Sequence, residues 1–202
     1  FDNTEDFISS KSEVEAKIHK YEGLIIRSRF KIDKGFLDKA TNLKFIGRVG
    51  AGLENIDVKY AIQKGIQLYN APEGNRNAVS EHALGMILNL FNQLRTAHDE
   101  VVNGHWRREA NRGHELEGKT IGLIGYGNTG KAFAKKLSGF DSEVLCYDIL
   151  ENIGDENAKQ VSLEELKAKA DVISLHTPHT SEPLGWREAR EIKSLENSTW
   201  FI

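Results

Sequence analysis

The stretch TIGLIGYGNTG, residues 120–130, decides the fold class of this chain. Its first five residues form a short apolar run, typical of a strand buried in a parallel sheet. The run leads directly into G-x-G-x-x-G, and a helical pattern follows over 129–138. In this context Gly125 permits a tight turn, Gly127 lets a pyrophosphate approach the backbone, and Gly130 lets the helix pack on the strand. The pattern therefore predicts a dinucleotide-binding turn.

A second interpretation of the same glycines is a phosphate-binding loop of nucleoside triphosphatases, because 125–131 also fits G-x-x-x-x-G-K. That motif continues with Ser or Thr as a magnesium ligand, whereas position 132 is Ala. A dinucleotide site instead needs an acid about 20 residues on, after the next strand. Asp148 follows the strand predicted over 143–147 and meets this need. Because no Arg follows to receive a 2′-phosphate, the sequence favours NAD over NADP.

The rest of the chain alternates short β-rich runs with helical patterns. Strands are predicted over 23–28, 43–49, 66–69, 120–124, 143–147, 171–175 and 198–202, and helices over 13–21, 34–41, 57–64, 129–138 and 163–169. Strand–helix–strand alternation implies right-handed crossovers and an α/β fold. We therefore expect a Rossmann-like, doubly wound parallel sheet.

One helix stands apart, because its apolar positions recur every three or four residues from Asn77 to about Asn103. Such a stripe faces a core or a partner. Asn77 can cap its start and Gly104 can end it. Pro72 lies in a turn just before this helix, which makes the turn the candidate domain boundary. The domains expected from it are 1–71 and 72–202.

Composition excludes several function classes. The chain has 27 Lys and Arg against 30 Asp and Glu, and this net charge of −3 argues against a general nucleic-acid binder. No apolar run approaches the ~18 residues of a membrane helix. The single cysteine, Cys146, precludes an internal disulfide and fits a reducing, cytoplasmic setting without a visible signal peptide. The seven histidines do not form H-E-x-x-H, and G-x-S-x-G is absent, so neither a metal site nor a serine hydrolase is expected.

Several further motifs stand in a specific order along 21–178. They are LIIRS at 24–28, GRVGAGLENID at 47–57, NAP at 70–72, VSE at 79–81, GHW at 104–106, the glycine turn with Asp148, and HTP at 176–178. With these motifs the chain resembles the D-isomer-specific 2-hydroxyacid dehydrogenases, and within that family the D-3-phosphoglycerate dehydrogenases. The resemblance implies a partial, flavodoxin-like substrate-binding domain over 1–71 and an NAD-binding Rossmann domain over 72–202.

The resemblance also implies roles for individual residues in binding NAD. The cofactor set comprises Ala51, Gly125, Gly127, Asn128, Thr129, Gly130, Asp148, His176, Thr177 and Pro178. Asn128 and Thr129 match positions that touch the pyrophosphate, and Asp148 matches the acid that binds the ribose. His176, Thr177 and Pro178 match the loop on the adenosine side.

For the substrate, the resemblance implies a loop of small residues, Val49, Gly50 and Ala51, whose backbone N–H groups receive a carboxylate. Arg27, Arg48 and Arg108 match arginines around a phosphorylated substrate, and guanidinium groups suit phosphate. The family's catalytic Arg, Glu and His are expected after Ile202, so no catalytic residue is expected within these 202 residues.

The reaction expected from the resemblance is oxidation of 3-phosphoglycerate to 3-phosphohydroxypyruvate, as in serine biosynthesis. A glyoxylate or hydroxypyruvate reductase is the alternative within the family. Since some relatives act as corepressors, the non-enzymatic alternative is a regulator that binds NAD without catalysis. Trp106 and its neighbours match a subunit interface, so a homodimer or higher homo-oligomer is expected.

Overall fold

The fold was obtained as a computed structural model, which describes residues 10–177 and 200–201. The chain divides into two compact units, Phe1–Asn75 and Arg76–Ile202. This division falls four residues beyond the boundary expected at Pro72. The assignment of the first unit to substrate binding stays a prediction.

The first unit contains a three-stranded parallel sheet in the order β1-β2-β3. The strands are β1 (Gly23–Ile26), β2 (Phe45–Arg48) and β3 (Gln67–Asn70), and the helices are α1 (Lys11–Lys17), α2 (Lys34–Lys39) and α3 (Val58–Gln63). Each helix begins at a capping side chain that accepts a hydrogen bond from the third residue of the helix, namely Ser10, Asp33 and Asp57. A 3₁₀ turn, Ile18–Lys20, extends α1 toward β1.

One face of this small sheet carries the hydrophobic core of the unit. Leu24 and Ile46 project from it into a cluster with Ile18, Phe36 and Leu37, all of them buried. The opposite face bears Ile25, Phe45 and Tyr69, which are exposed. Register explains the pattern, because alternate residues along a strand point to opposite faces.

The second unit contains a five-stranded parallel sheet in the order β6-β5-β4-β7-β8. The strands are β4 (Thr120–Ile124), β5 (Glu143–Tyr147), β6 (Lys159–Gln160), β7 (Val172–Leu175) and β8 (Trp200–Phe201). In chain order this is 3-2-1-4-5, with the reversal between β4 and β7, as in a Rossmann fold. The expected α/β fold class is confirmed. Sequence reasoning missed β6, because two residues are too few to produce a recognisable pattern.

Helices cover both faces of this sheet. The covering helices are α4 (Arg76–Phe91), α6 (Asn128–Leu137) and α7 (Leu163–Lys169), whereas α5 (Leu94–Val102) has no buried residue. Buried side chains of α4 and α6, among them Ile87 and Phe133, join Ile121 and Leu123 in the larger core. On the opposite face Leu166 of α7 packs with Ile124 and Ile173 in a smaller core. Two covered faces explain why β4 reads as a continuous apolar run.

The prediction of a single long helix from Asn77 to about Asn103 is wrong. The chain instead forms α4 and α5, and Gln93 between them adopts φ 49°. The carbonyl of Phe91 accepts a hydrogen bond from the backbone N–H of His114 at 2.9 Å, and the Gln93 amide donates to the carbonyls of Ala110 and Arg112. These contacts from the following loop replace the helical hydrogen bonds at the break.

The start of α4 and the end of α5 lie close to the limits predicted for the long helix. The first helix begins at Arg76, one residue before the expected cap Asn77. The second ends at Val102 with Asn103 as its C-cap, and Gly104 adopts φ 80° directly after the cap, as expected of a terminating glycine. Among the described residues, no helix is long and apolar enough to cross a membrane.

Candidate cofactor-binding site

The glycine turn at 125–130 connects β4 to α6 and is closed by backbone contacts. Gly125 adopts φ 91°, and its N–H donates to the carbonyl of Tyr147 at 2.8 Å. A Cβ on Gly125 would lie 2.8 Å from the backbone of His176, and a Cβ on Gly130 would lie 2.3 Å from the carbonyl oxygen of Gly125. Only glycine fits at these two positions without moving backbone.

The third glycine of the motif has a different environment. A Cβ on Gly127 would meet no heavy atom within 4 Å, so the space beside it is open. Gly127 is also the N-cap of α6, and no side chain caps the helix there. Asn128 is exposed and Thr129 half-buried at the first turn. Uncapped N–H groups at the positive end of a helix dipole suit a pyrophosphate, and the open space at Gly127 allows it to approach.

Asp148 lies directly after β5, beside the glycine turn. One carboxylate oxygen, Oδ2, accepts a hydrogen bond from the backbone N–H of Tyr126 at 2.7 Å. The other, Oδ1, accepts from the N–H of Leu150 at 3.1 Å. These contacts orient a half-buried carboxylate whose remaining lone pairs can accept from a ribose hydroxyl. The turn, the helix terminus and the acid therefore fit the two ends of the adenosine diphosphate part of NAD.

His176 follows β7, and its side chain is turned inward. Its imidazole Nε2 lies 3.0 Å from the hydroxyl oxygen of the buried Ser174, and its ring centroid lies 5.4 Å from that of Phe133. Burial lowers the pKa of His176 to about 4, so the ring is neutral at physiological pH. Its backbone borders Gly125, while its ring packs against Phe133 of α6. Thr177 is exposed beside it, and Pro178 lies outside the described residues.

The arginines expected at the substrate site differ in their surroundings. Arg27 follows β1 and is exposed, whereas Arg48 ends β2 with only 11 % of its side chain accessible. Parallel register pairs Arg48 with Ile26, so both arginines lie at the carboxyl edge of the same sheet. Arg108 belongs to the other unit, where its highly exposed side chain pairs with Glu109 at 4.0 Å.

The loop 49–52 is occupied by the Arg48 side chain. Its Nη1 donates to the carbonyl of Val49 at 2.8 Å, and its Nη2 lies 3.8 Å from Glu54. The buried Nε has no hydrogen-bond partner within the described part of the chain. Gly50 adopts φ 149°, and the carbonyl of Ala51 accepts a hydrogen bond from the side-chain amide of Asn70 at 2.6 Å.

Sequence reasoning missed two residues that contact this site. Tyr126 occupies a variable position of the glycine motif, and Asp155 lies in the loop before β6. The Tyr126 hydroxyl donates to Asp155 Oδ1 at 2.6 Å. No motif marks either residue, and the only signal is a large aromatic side chain in a turn that tolerates any residue there. In residues 10–177 and 200–201, no group of three or more His, Cys, Asp or Glu side chains could hold a metal ion.

Comparison with known proteins places this geometry in a family. Residues 84–202 match the family model described as the NAD-binding domain of the D-isomer specific 2-hydroxyacid dehydrogenases. The chain is 38 % identical over 181 residues to a D-3-phosphoglycerate dehydrogenase of Archaeoglobus fulgidus, covering 87 % of this chain and 34 % of that protein. It is 37 % identical over 170 residues to a hydroxypyruvate reductase of Thermotoga maritima, covering 84 % of this chain and 56 % of that protein.

Solved structures agree with the family match. The D-lactate dehydrogenase of Aquifex aeolicus, complexed with NAD and lactic acid, superposes with a TM-score of 0.75 at 32 % identity. The match covers 82 % of this chain and 51 % of that protein. This chain thus spans about a third to a half of these relatives. The family model extends over more than half of the chain and includes the glycine turn and Asp148, so the chain belongs to the D-isomer specific 2-hydroxyacid dehydrogenases and carries their NAD-binding domain.

Proposed function

We propose that the whole protein is an NAD-dependent oxidoreductase acting on the CH–OH group of a D-2-hydroxy acid, with 3-phosphoglycerate as its substrate. The observation that carries the cofactor assignment is the Asp148 carboxylate, held beside the glycine turn by the N–H of Tyr126. Bound NAD would accept the hydride from the hydroxyl-bearing carbon. The turn and the start of α6 hold its pyrophosphate, and Asp148 holds its adenosine ribose.

The proposed phosphorylated substrate rests on the arginines of the first unit. Arg27 and Arg48 lie at the carboxyl ends of neighbouring parallel strands, beside the small residues of the loop 49–52. Guanidinium groups bind phosphate in a bidentate manner, and backbone N–H groups of small residues suit a carboxylate. Arg108 belongs to the other unit, and its role stays a prediction from the resemblance. The similarity to a phosphoglycerate dehydrogenase supports the same assignment.

A hydroxypyruvate or glyoxylate reductase is the second candidate, and one observation favours it. The Arg48 guanidinium is engaged with Val49 and Glu54 instead of being free for a phosphate. Comparing kcat/KM for 3-phosphoglycerate with kcat/KM for hydroxypyruvate in the full-length protein separates the two. Under the first proposal, Arg27→Ala lowers kcat/KM for 3-phosphoglycerate at least ~tenfold, since a charge-assisted contact is lost, and spares hydroxypyruvate. An equal loss with both substrates would contradict the phosphate role of Arg27.

Replacement of Asp148 tests the cofactor assignment. The wild-type protein should bind NADH more tightly than NADPH. Asp148→Ala should reduce this ratio of affinities ~tenfold, because it removes the hydrogen bonds to the ribose hydroxyl of NADH and the repulsion of the 2′-phosphate of NADPH. Asp99→Ala, which removes an exposed carboxylate on α5, is the control and should leave the ratio unchanged. An unchanged ratio in Asp148→Ala would remove Asp148 from this role. Dinucleotide binding without turnover in the full-length protein would favour a non-catalytic regulator instead.

A homodimer or higher homo-oligomer is proposed from the surface of α4 and α5. Apolar side chains there are exposed, namely Val79, Met86, Leu94, Val101 and Val102, and Trp106 after them is 81 % accessible. Exposed apolar side chains favour interaction sites, and Trp is enriched in interfaces. Light scattering should give a multiple of the monomer mass, and Trp106→Ala should shift it toward the monomer. A cytoplasmic location and the absence of a nucleic-acid partner stay predictions.

A further inference from the structure

The Tyr126 side chain links the glycine turn to the loop before β6. Its ring is buried in the core between the sheet and α6. Its hydroxyl donates to Asp155 Oδ1 at 2.6 Å, across 29 residues of sequence. Its backbone N–H donates at 2.7 Å to Asp148, the acid assigned to the ribose. One residue therefore connects the ribose acid to a second carboxylate on the far side of the turn.

The protonation states of the pair make this hydrogen bond a strong one. Burial, and then the hydrogen bond to Asp155, raise the pKa of Tyr126 well above its ordinary value, so the hydroxyl stays a donor. Burial opposes ionisation of Asp155, but hydrogen bonds from Tyr126 and Asn157 outweigh it and lower its pKa. Lys131 adds a positive charge, with its Nζ 3.9 Å from Asp155 Oδ2. A hydroxyl donating to a carboxylate is roughly twice as strong as a neutral hydrogen bond.

The segment that carries Asp155 is itself held in place. The Gln160 side chain donates to the carbonyl of Leu150 at 2.7 Å and accepts from the N–H of Ile153 at 2.9 Å. The backbone N–H of Asp155 donates to the carbonyl of Ala158 at 3.1 Å. The carboxylate therefore projects from a cross-linked loop, and this gives the Tyr126 hydroxyl a fixed acceptor.

We propose that Tyr126 and Asp155 are positioning residues that hold the glycine turn and Asp148 in the conformation that receives the adenosine ribose and pyrophosphate. Neither side chain touches the cofactor in this proposal, and the Tyr126 ring is buried in the core. The inference rests on the proposed function for its binding consequence. The rigidity of the turn is a separate consequence that does not require a bound cofactor.

Tyr126→Phe removes the hydroxyl and keeps the buried ring. Amide hydrogen exchange in a peptide covering 125–131 should become ~tenfold faster, the size expected for one hydrogen bond to a charged group. Exchange in β1–β3 should not change. Unaltered exchange in 125–131 would overturn the proposal, whether or not the protein binds NADH.

Two substitutions of the acceptor separate the hydrogen bond from the charge. Asp155→Asn retains an oxygen that can accept from Tyr126 and should keep exchange within about threefold of wild type. Asp155→Leu removes the acceptor and should match Tyr126→Phe. Equal acceleration in both Asp155 variants would show that the charge, and not the hydrogen bond, is responsible, and would overturn the proposal.

Tyr60→Phe provides a matched control. Tyr60 also donates to a carboxylate, Asp38 Oδ1 at 2.5 Å, but this pair is on the surface of the first unit. Its removal should leave exchange in 125–131 at the wild-type rate. If Tyr60→Phe accelerated hydrogen exchange in 125–131 as much as Tyr126→Phe does, the effect of Tyr126→Phe would not be local. That result would also overturn the proposal.

Calorimetric binding of NADH, NADPH and ADP-ribose completes the test. Tyr126→Phe should lower the affinities for NADH and for ADP-ribose ~tenfold each, because Asp148 is less well oriented. The preference for NADH over NADPH should become smaller for the same reason. Faster exchange with unchanged ADP-ribose affinity would overturn the positioning role. If the wild-type protein binds none of the three ligands, the proposed function fails, and the exchange comparison still decides whether the pair holds the turn.

Discussion

The glycine turn at 125–130 follows β4 and the loop at 49–52 follows β2, so each lies at the carboxyl end of a parallel strand. In the first, the atoms that a Cβ would strike belong to backbone, the carbonyl of Gly125 and the peptide of His176. In the second, they are the ends of flexible side chains. A Cβ on Gly50 would meet Arg48 Nη1 at 1.5 Å, and a Cβ on Gly52 would meet Glu54 Oε2 at 1.9 Å.

The two loops therefore place different demands on their glycines. Backbone inside a close-packed core cannot move without disturbing the sheet, so any other residue at 125 or 130 should cost stability. The Glu54 carboxylate is 67 % accessible and can change rotamer at little cost, whereas the Arg48 side chain is only 11 % accessible. The space beside Gly50 and Gly52 is therefore filled by side chains of the loop's own neighbours, Arg48 and Glu54.

The largest effect is expected from Gly130→Ala. Its Cβ would overlap the Gly125 carbonyl at 2.3 Å, and overpacking of this kind should lower the free energy of unfolding by about 3 kcal/mol. Urea unfolding of the cofactor-free protein measures it. Gly139→Ala, where a Cβ meets nothing within 4 Å, is the control and should change stability by less than ~0.5 kcal/mol. Similar values for the two variants would remove the backbone contact as the cause.

The neutral His176, whose ring packs against Phe133, should make stability depend on pH. Its pKa is about 4 in the fold and 6.5 in the unfolded chain, so the unfolded state takes up the proton first as the pH falls. Stability from this group is fully present above pH 6.5 and is lost between pH 6.5 and 4, by about 3 kcal/mol in total. Urea unfolding at pH 7, 5.5 and 4.5 should show a smaller loss in His176→Asn than in wild type. An equal loss of stability with falling pH in both proteins would contradict the assignment of this pH dependence to His176.

Gly127→Ala tests the open position of the glycine turn, in contrast to the crowded positions 125 and 130. The position is open, so the variant should unfold within ~0.5 kcal/mol of wild type. Its methyl group would occupy the space that the pyrophosphate needs, so NADH affinity should fall ~100-fold. Calorimetry with NADH, alongside urea unfolding, measures both. Retained affinity would show that the pyrophosphate does not approach Gly127.

The smallest effect is expected from Gly52→Ala in the other loop. The Glu54 side chain is 67 % accessible and can swing away from the new methyl group, so the change should stay below ~0.5 kcal/mol. Gly50→Ala in the same loop is the contrasting variant, because φ 149° strains any other residue by ~1–3 kcal/mol. A large loss for Gly52→Ala would mean that Glu54 is fixed, and the two loops would then be alike.

Local patterns predicted most of the second unit. The strands β4 and β5 and the helix α7 begin and end where the sequence places them, because each is bounded by strong turn or capping signals. The glycine motif and Asp148 were also predicted, since the motif's spacing reflects the geometry of a single βαβ unit. The break between α4 and α5 was not, because the apolar spacing continues through it while the loop at 110–114 competes for the same backbone groups.

From the sequence alone follow the fold class and the NAD-binding turn, which depend on residues close in the chain, and the family, which depends on the order of several motifs along 21–178. Only the tertiary structure decided that Arg48 fills its own loop, that His176 turns inward, and that Tyr126 is joined to Asp155. Each of these depends on which side chains meet after folding and on which of them keep access to water. Hydrophobic periodicity and motif spacing record neither, because they describe one element at a time.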